Sequence, residues 1–191
     1  GARVEAFDTR PVVAEQVQSL GAKFVEIDLG EMGQTEQGYA QELTPEQLEL
    51  QREGQKAVIA QSDIVVTTAQ LFGRPAPVIV GRDMVEGMKP GSVVIDMAVE
   101  TGGNVEGSVL NEVVDINGVK VVGQGNLPSA VAKNASEMYS NNLFNLIDEF
   151  WDEESKSLNL DPEDEIVEAC VITRGGEVVN ETIKNIYSGA K

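Results

Sequence analysis

Histidine is absent from the whole chain. That absence excludes a Ser-His-Asp triad, a Cys-His pair and any histidine-ligated metal. Chemistry carried by this chain must run on carboxylates, hydroxyls, amides, lysine or a bound cofactor. Cysteine is nearly as scarce. Cys170 stands alone, so neither an internal disulfide nor a cysteine-rich metal site can form. Between Ala169 and Val171 it is expected as a small core residue. Basic residues number 14 against 32 acidic ones, a net charge of −18. Such a balance argues against a surface for nucleic acid or anionic lipid, and predicts a solvated acidic face. No apolar run approaches the roughly 20 residues that span a bilayer, so no membrane span is expected. The opening Gly1-Ala2-Arg3-Val4-Glu5 is not a signal peptide and reads as mid-domain sequence. A chain truncated at its start is expected.

What is present is a rhythm. Hydrophobic residues make up 41% of the chain, enough for a packed core. Val4, Ala6 and Phe7 form a short apolar segment ending at Asp8. Thr9 is placed to cap a helix with Pro11 in its first turn, and Gly21 closes that helix. Phe24, Val25 and Ile27 predict a second strand. Residues 29 to 43 are polar and glycine-rich, and read as a loop. Thr44-Pro45-Glu46 starts a helix that runs to about Ala60. Ile64 to Thr67 reads as a buried strand, residues 81 to 88 as a short helix, and Val93 to Ile95 as a strand ending in Asp96. Asn117-Gly118 marks a hairpin whose second arm is Val119 to Val122. A long helix fits Ser129 to Phe150. Ile166 to Thr173 and Glu177 to Val179 suggest a last hairpin over Gly175-Gly176. Strands that end in Asp or Thr and alternate with helices predict an α/β fold built on a doubly wound parallel sheet.

In such sheets ligands sit beyond the carboxyl ends of the strands. Four segments fall there: Asp8-Thr9-Arg10, Thr67-Thr68-Ala69, Asp96-Met97-Ala98 and Gly125-Asn126-Leu127-Pro128. An acid closing the second strand of a dinucleotide fold accepts the adenosine ribose hydroxyls and selects NAD over NADP; equally, Asp8 could cap the following helix. Arg10 complicates the choice, because a nearby arginine can take a 2′-phosphate. The glycine-rich fingerprint G-x-G-x-x-G is missing, and the chain begins where that motif should have ended. The proline-rich loop from Phe72 to Pro77 is stiff enough to wall a site or to be a plain connection. Tyr39, between Gly38 and Ala40, is either a lid over a nucleotide or a surface aromatic. Glu100-Thr101-Gly102-Gly103-Asn104 permits close backbone approach, or is only a turn.

Taken in order, these segments resemble one family: the NAD(H)-binding component of proton-translocating transhydrogenase, the alpha subunit in bacteria. The resemblance is carried by Val4-Glu5-Ala6-Phe7-Asp8-Thr9-Arg10-Pro11, Gly21-Ala22-Lys23-Phe24, Gly38-Tyr39-Ala40, and Ser62 to Ala69 with Gly73-Arg74-Pro75-Ala76-Pro77. It continues through Met88 to Asp96 with Gly102-Gly103-Asn104, then Asn126-Leu127-Pro128-Ser129 and Tyr139-Ser140-Asn141-Asn142-Leu143. No single motif is specific, but their order and spacing are, across nearly the whole chain.

The resemblance implies two Rossmann-like domains. Residues 1–128 would be an NAD(H)-binding domain lacking its first strand and glycine-rich loop. Residues 129–191 would be a connecting helix and the C-terminal part of the other domain. Cofactor contacts are expected at Asp8, Thr9, Arg10, Tyr39, Thr67, Thr68, Ala69, Asp96, Ala98, Glu100, Asn104 and Asn126, with no acid–base residue and no metal. The implied activity is transfer of hydride from NADH on this chain to NADP⁺ on a partner component, coupled to proton translocation by a membrane component. A homodimer, peripheral to the cytoplasmic face of the membrane, is expected. Direct transfer between two nicotinamides needs positioning rather than a proton shuttle, which suits a chain without histidine. Two departures concern the pocket wall. Gln70-Leu71-Phe72 stands where the family usually has Leu-Ile-Pro, and Ala130 stands where it usually has Arg. The rival readings are an alanine dehydrogenase, whose Asp-Gln-Gly-Gly would align on Glu100-Thr101-Gly102-Gly103, and a non-catalytic NAD-binding module.

Overall fold

The computed structural model describes residues 1–10, 12–28, 44–71 and 73–189. Its first unit is small. Strand β1 (Glu5–Ala6) is followed by helix α1 (Val13–Ser19) and strand β2 (Lys23–Phe24), which lies parallel to β1 with Ala6 opposite Phe24. Thr9 does not cap α1. The N-cap is Val12, which offers no side-chain acceptor, and the helix begins a turn later than its sequence suggests. Gly21 closes it as expected. At φ +80° its N–H reaches the Gln18 carbonyl at 2.9 Å, and that of Ala22 reaches Val17 at 3.3 Å, the paired bonds of a Schellman ending.

Helix α2 (Pro45–Gln61) has a well-made start. The Thr44 hydroxyl accepts the Gln47 N–H at 3.3 Å, and the Gln47 side chain accepts the Thr44 N–H at 3.0 Å. Two of the helix's orphan donors are thereby satisfied. Thr44→Ala is expected to lower stability by about 1 kcal/mol, read as a lower urea midpoint at constant m-value. A midpoint equal to the parent's would show that the box contributes nothing.

The main sheet comprises β3 (Ile64–Thr67), β4 (Val93–Asp96), β5 (Val113–Ile116) and β6 (Val119–Val122), in the order β3-β4-β6-β5. Strands β3, β4 and β6 are parallel, and β5 folds back antiparallel to β6. Asn117 and Gly118, at φ 52° and 82°, make the tight turn between β5 and β6. Two positive φ values are what a primed hairpin turn requires, and Asn-Gly supplies them with least strain. Helix α3 (Arg82–Glu86) packs Met84 and Val85 onto one face of this sheet, against Val94, Ile116, Val119 and Val121. Residues two apart share a face, so Val65, Val94, Val121 and Val114 form one row toward that core. Val66, Ile95, Val122 and Val113 form the row on the opposite face. Ile64 and Val66 are 66% and 53% exposed. The expectation of a buried β3 therefore fails. Among the described residues β3 is an edge strand with one face uncovered. The β1–β2 pair shares no strand pairing with this sheet.

Past β6 the chain forms α4 (Leu127–Ala130) and α5 (Ala132–Phe150). The single helix expected over this stretch is broken at Val131, which has φ −127°. A hairpin follows, β7 (Trp151–Asp152) with β8 (Ser157–Leu158). Residues 165–170 are helical, not extended: α6 (Glu165–Cys170) starts at Asp164, whose carboxylate accepts the Ile166 and Val167 N–H groups. An N-capping Asp outweighs the β-branched residues that suggested a strand. Only β9 (Thr173–Arg174) and β10 (Glu177–Val178) form the last hairpin, before α7 (Glu181–Ser188). Cys170 is exposed, while Val167, at 2% exposure, takes the buried position of α6. The end of α7 lies against the loop after β3. A Cβ on Gly73 would sit 2.5 Å from Ile186 Cδ1. No helix among the described residues is long and apolar enough to cross a membrane.

Candidate nucleotide-binding rim

Because β3, β4 and β6 are parallel, their carboxyl ends share one rim, and the loops leaving them carry most of the expected site residues. Asp96 closes β4 with no exposed surface. It does not project into solvent. Its Oδ1 accepts the Ala98 N–H at 3.0 Å, and its Oδ2 accepts those of Asn104 and Val105 at 3.0 and 3.1 Å. The carboxylate therefore lies beneath the 97–105 loop and gathers it. A Cβ on Gly103 (φ +87°) would come within 2.8 Å of Asp96 Oδ2. This is one position where glycine is needed both for backbone conformation and for close approach.

Asn104, also fully buried, joins three loops. Its Nδ2 donates to the carbonyls of Ala69 at 2.9 Å and Pro77 at 2.8 Å, and its own carbonyl accepts the Ile79 and Val80 N–H groups. Its Oδ1 is buried and has no hydrogen-bond partner. The Pro75–Pro77 stretch is thus pinned against the 97–105 loop, with the Ala76 N–H donating to Thr101 at 2.8 Å. Thr67 is buried and donates to the Ile95 carbonyl at 3.4 Å, while its carbonyl accepts the Met97 N–H. Thr68 is exposed, Ala69 half-buried and Ala98 buried.

Glu100 and Asn126 meet across the rim. Glu100 Oε2 accepts the Asn126 N–H at 3.0 Å. Asn126 has φ +50°, a left-handed conformation that asparagine tolerates better than most residues. Asn111 supports this corner: its Oδ1 accepts the Gly125 N–H at 3.2 Å and the Gln124 amide at 3.3 Å. Asn111 belongs to none of the motifs that mark the rim in the sequence. Its one signal there is an asparagine just ahead of a strand, where left-handed turns are common; here φ is 62°.

Asp8, Thr9 and Arg10 stand at the end of β1, on the other sheet. Asp8 does not cap α1. Its carboxylate accepts the Arg10 backbone N–H at 2.8 Å, Arg10 Nε at 3.0 Å and Arg10 Nη2 at 2.9 Å. The side-chain bonds from Arg10 hold the Asp8 carboxyl below its ordinary value, against a smaller opposing effect of burial. Thr9 is exposed beside them. Tyr39 lies outside the described residues. Two broad depressions, of about 490 Å³ beside Phe150 and Asp161 and about 520 Å³ beside Phe24 and Val58, include none of the rim residues.

Residues 1–181 match the model of the family described as alanine dehydrogenase/PNT, C-terminal domain. The chain belongs to that family. Within the family it is 42% identical over 184 residues to "NAD(P) transhydrogenase subunit alpha" of Haemophilus influenzae, covering 94% of this chain and 35% of that protein. The corresponding alpha-subunit protein of Rhodospirillum rubrum, a shorter chain, is also 42% identical, over 96% of this chain and 48% of its own. The crystal structure of a transhydrogenase from Sinorhizobium meliloti superposes with a TM-score of 0.66 at 38% identity, over 95% of this chain and 43% of that one. By contrast, the alanine dehydrogenase of Halomonas elongata is 32% identical over 87 residues, 44% of this chain and 24% of that protein. The chain spans about half the length, or less, of the curated transhydrogenase relatives it matches.

Proposed function

We propose that this chain is the larger part of the NAD(H)-binding component of a proton-translocating NAD(P) transhydrogenase. The observation that carries the reading is the rim itself. Thr67, Thr68, Ala69, Asp96, Ala98, Glu100, Asn104 and Asn126 lie along the carboxyl ends of parallel strands, in a chain 42% identical over nearly its whole length to a transhydrogenase alpha subunit. The residues present fit a dinucleotide. Two loops reach the rim on glycines, Gly103 and Gly125, that leave no room for a side chain. Asn104 keeps one buried acceptor without a partner. Asp8 offers a carboxylate of the kind that receives a ribose diol.

In this reading Asp8, Thr9 and Arg10 hold the adenosine end. Glu100, Asn126 and the 67–69 loop face the nicotinamide end. Asp96 and Asn104 set the shape of the loops rather than reach the ligand with a full set of free atoms. Tyr39 closes over the nucleotide. NADH supplies hydride when bound. The chain's own residues position it and keep the loops in register. NADP(H) sits on a partner component, and the assembly is a dimer at the cytoplasmic face of the membrane, driven by proton flow through its membrane component. Residues 1–128 form the nucleotide domain, and 129–191 the connecting helix and a portion of the second domain.

The deciding experiment uses the full-length protein with its membrane partner. Reduction of thio-NADP⁺ by NADH is expected, and alanine-dependent NAD⁺ reduction is not. The reverse pattern would make the chain an alanine dehydrogenase, and NADH binding with neither activity would make it a binding module. Asp8→Ala is expected to weaken NADH binding by about 1–3 kcal/mol through the stranded ribose hydroxyls. Unchanged affinity by titration would remove Asp8 from the site.

A further inference from the structure

The carboxylate assigned above to the ribose is already engaged. A carboxylate has about four acceptor positions, two on each oxygen. On Asp8, Oδ1 accepts both the Arg10 backbone N–H and Arg10 Nε, and Oδ2 accepts Arg10 Nη2. A vicinal diol held in two-pronged fashion needs one position on each oxygen. While the guanidinium fork is closed, Oδ1 has none to offer. Withdrawing the side chain frees one position on each oxygen and leaves the backbone N–H bond intact. The fork can open, because the Arg10 side chain is 61% exposed and water lies in its path. Exposed ion pairs are weak, so the opening costs little.

We propose that Arg10 is a specificity-determining residue that occupies Asp8 as a stand-in for the ribose hydroxyls, gives way to a 2′,3′-diol, and captures a 2′-phosphate when one is presented. The inference rests on the reading of Asp8 as the ribose acceptor. Its chemistry is competition. The diol must displace the fork, so Arg10 lowers the affinity for the unphosphorylated ribose. A 2′-phosphate meets Asp8 as a repulsive charge but meets the guanidinium as a matched two-pronged partner. It draws the same side chain away from the acid and keeps it. Asp8 alone would reject 2′-phosphorylated nucleotides strongly, and Arg10 narrows that margin.

The test is calorimetric titration of the full-length protein with adenosine 5′-monophosphate and adenosine 2′,5′-bisphosphate. It is run at about 0.15 M salt, where charges beyond about 8 Å are screened. With Arg10→Met, 5′-monophosphate binding is expected to tighten about threefold to fivefold, and 2′,5′-bisphosphate binding to weaken by about tenfold. Opposite signs for the two ligands are the signature. A residue that only braces the turn would move both the same way, and that result, or no change in either, overturns the proposal. Should Arg10→Met fail to fold, Arg10→Lys answers by the same criterion, since a lysine keeps the charge but cannot form the fork. Asp8→Asn separates the proposal from the reading beneath it. A loss of 5′-monophosphate binding with same-sign effects at Arg10 sinks the proposal alone, whereas unchanged binding in Asp8→Asn sinks both.

Discussion

Asp96→Ala is expected to lower the unfolding free energy by about 3–5 kcal/mol and to abolish nucleotide binding. The size follows from counting donors. The carboxylate has no exposed surface and serves the N–H groups of Ala98, Asn104 and Val105. All three of those residues are themselves buried, so water cannot readily replace the lost acceptor. A buried donor left without a partner costs about 1–3 kcal/mol, and partial relaxation of the loop recovers some of the sum. The functional loss follows from the same bonds. They draw the 97–105 loop over the end of β4, and that loop carries Glu100 to its contact with Asn126. The expected signature in urea is a lower midpoint with an unchanged m-value, since the sheet and its core still unfold together. A loss below about 1 kcal/mol would show that the Ala98–Gly103 and Asn104–Val80 backbone bonds hold the loop unaided.

Asp96 also shows where reading the sequence succeeds and where it stops. Its position was plain: an apolar run, Val93-Val94-Ile95, ends in an acid, and a strand of a parallel sheet ends there too. The direction of its side chain was not. Whether a carboxylate at a strand end reaches a ligand or turns under its own loop depends on donors eight and nine residues away, which no local pattern specifies. The same division holds elsewhere. The Asn117-Gly118 turn, the Thr44 box and the Gly21 ending were readable because each is decided within a few residues. Thr9 failed as a cap, α6 was taken for a strand, and Cys170 was placed in the core. Those outcomes depend on which neighbour takes the one available position: Val12 at the start of α1, Asp164 at the start of α6, Val167 on its buried side. Hydrophobicity alone does not separate Val167 from Cys170. The fork of Arg10 on Asp8 lies between these cases. Two residues at adjacent sites of a turn were known to be opposite in charge, but only the geometry shows that all three contacts form together.

Asn104→Asp is expected to destabilise the chain by an amount that grows with pH. The substitution keeps the shape and removes both donors. In the parent, Nδ2 gives one hydrogen to Ala69 and one to Pro77, at 2.9 and 2.8 Å, in a site with no solvent exposure. An ionised carboxyl there would face two carbonyl oxygens, and its other oxygen would replace an atom that already has no partner. The folded state would therefore accept the new side chain only as a neutral acid, with its pKa raised well above the unfolded value of about 3.9. The sign follows from proton binding. Above about pH 4 the unfolded chain has released this proton while the folded chain still holds it, so stability falls as pH rises, by about 1.4 kcal/mol per unit until the folded pKa is passed. Near pH 4 the protonated group can still donate once, to Ala69 or to Pro77, and the expected loss is about 1–2 kcal/mol. At pH 7 it reaches about 4 kcal/mol or more, enough to unfold a marginal domain. Urea unfolding of variant and parent between pH 4 and pH 8 measures the difference. A penalty that stays constant across that range would mean that water or a rearranged loop supplies donors to the new carboxylate. The joining of three loops by one buried amide would then not be what holds the rim in shape.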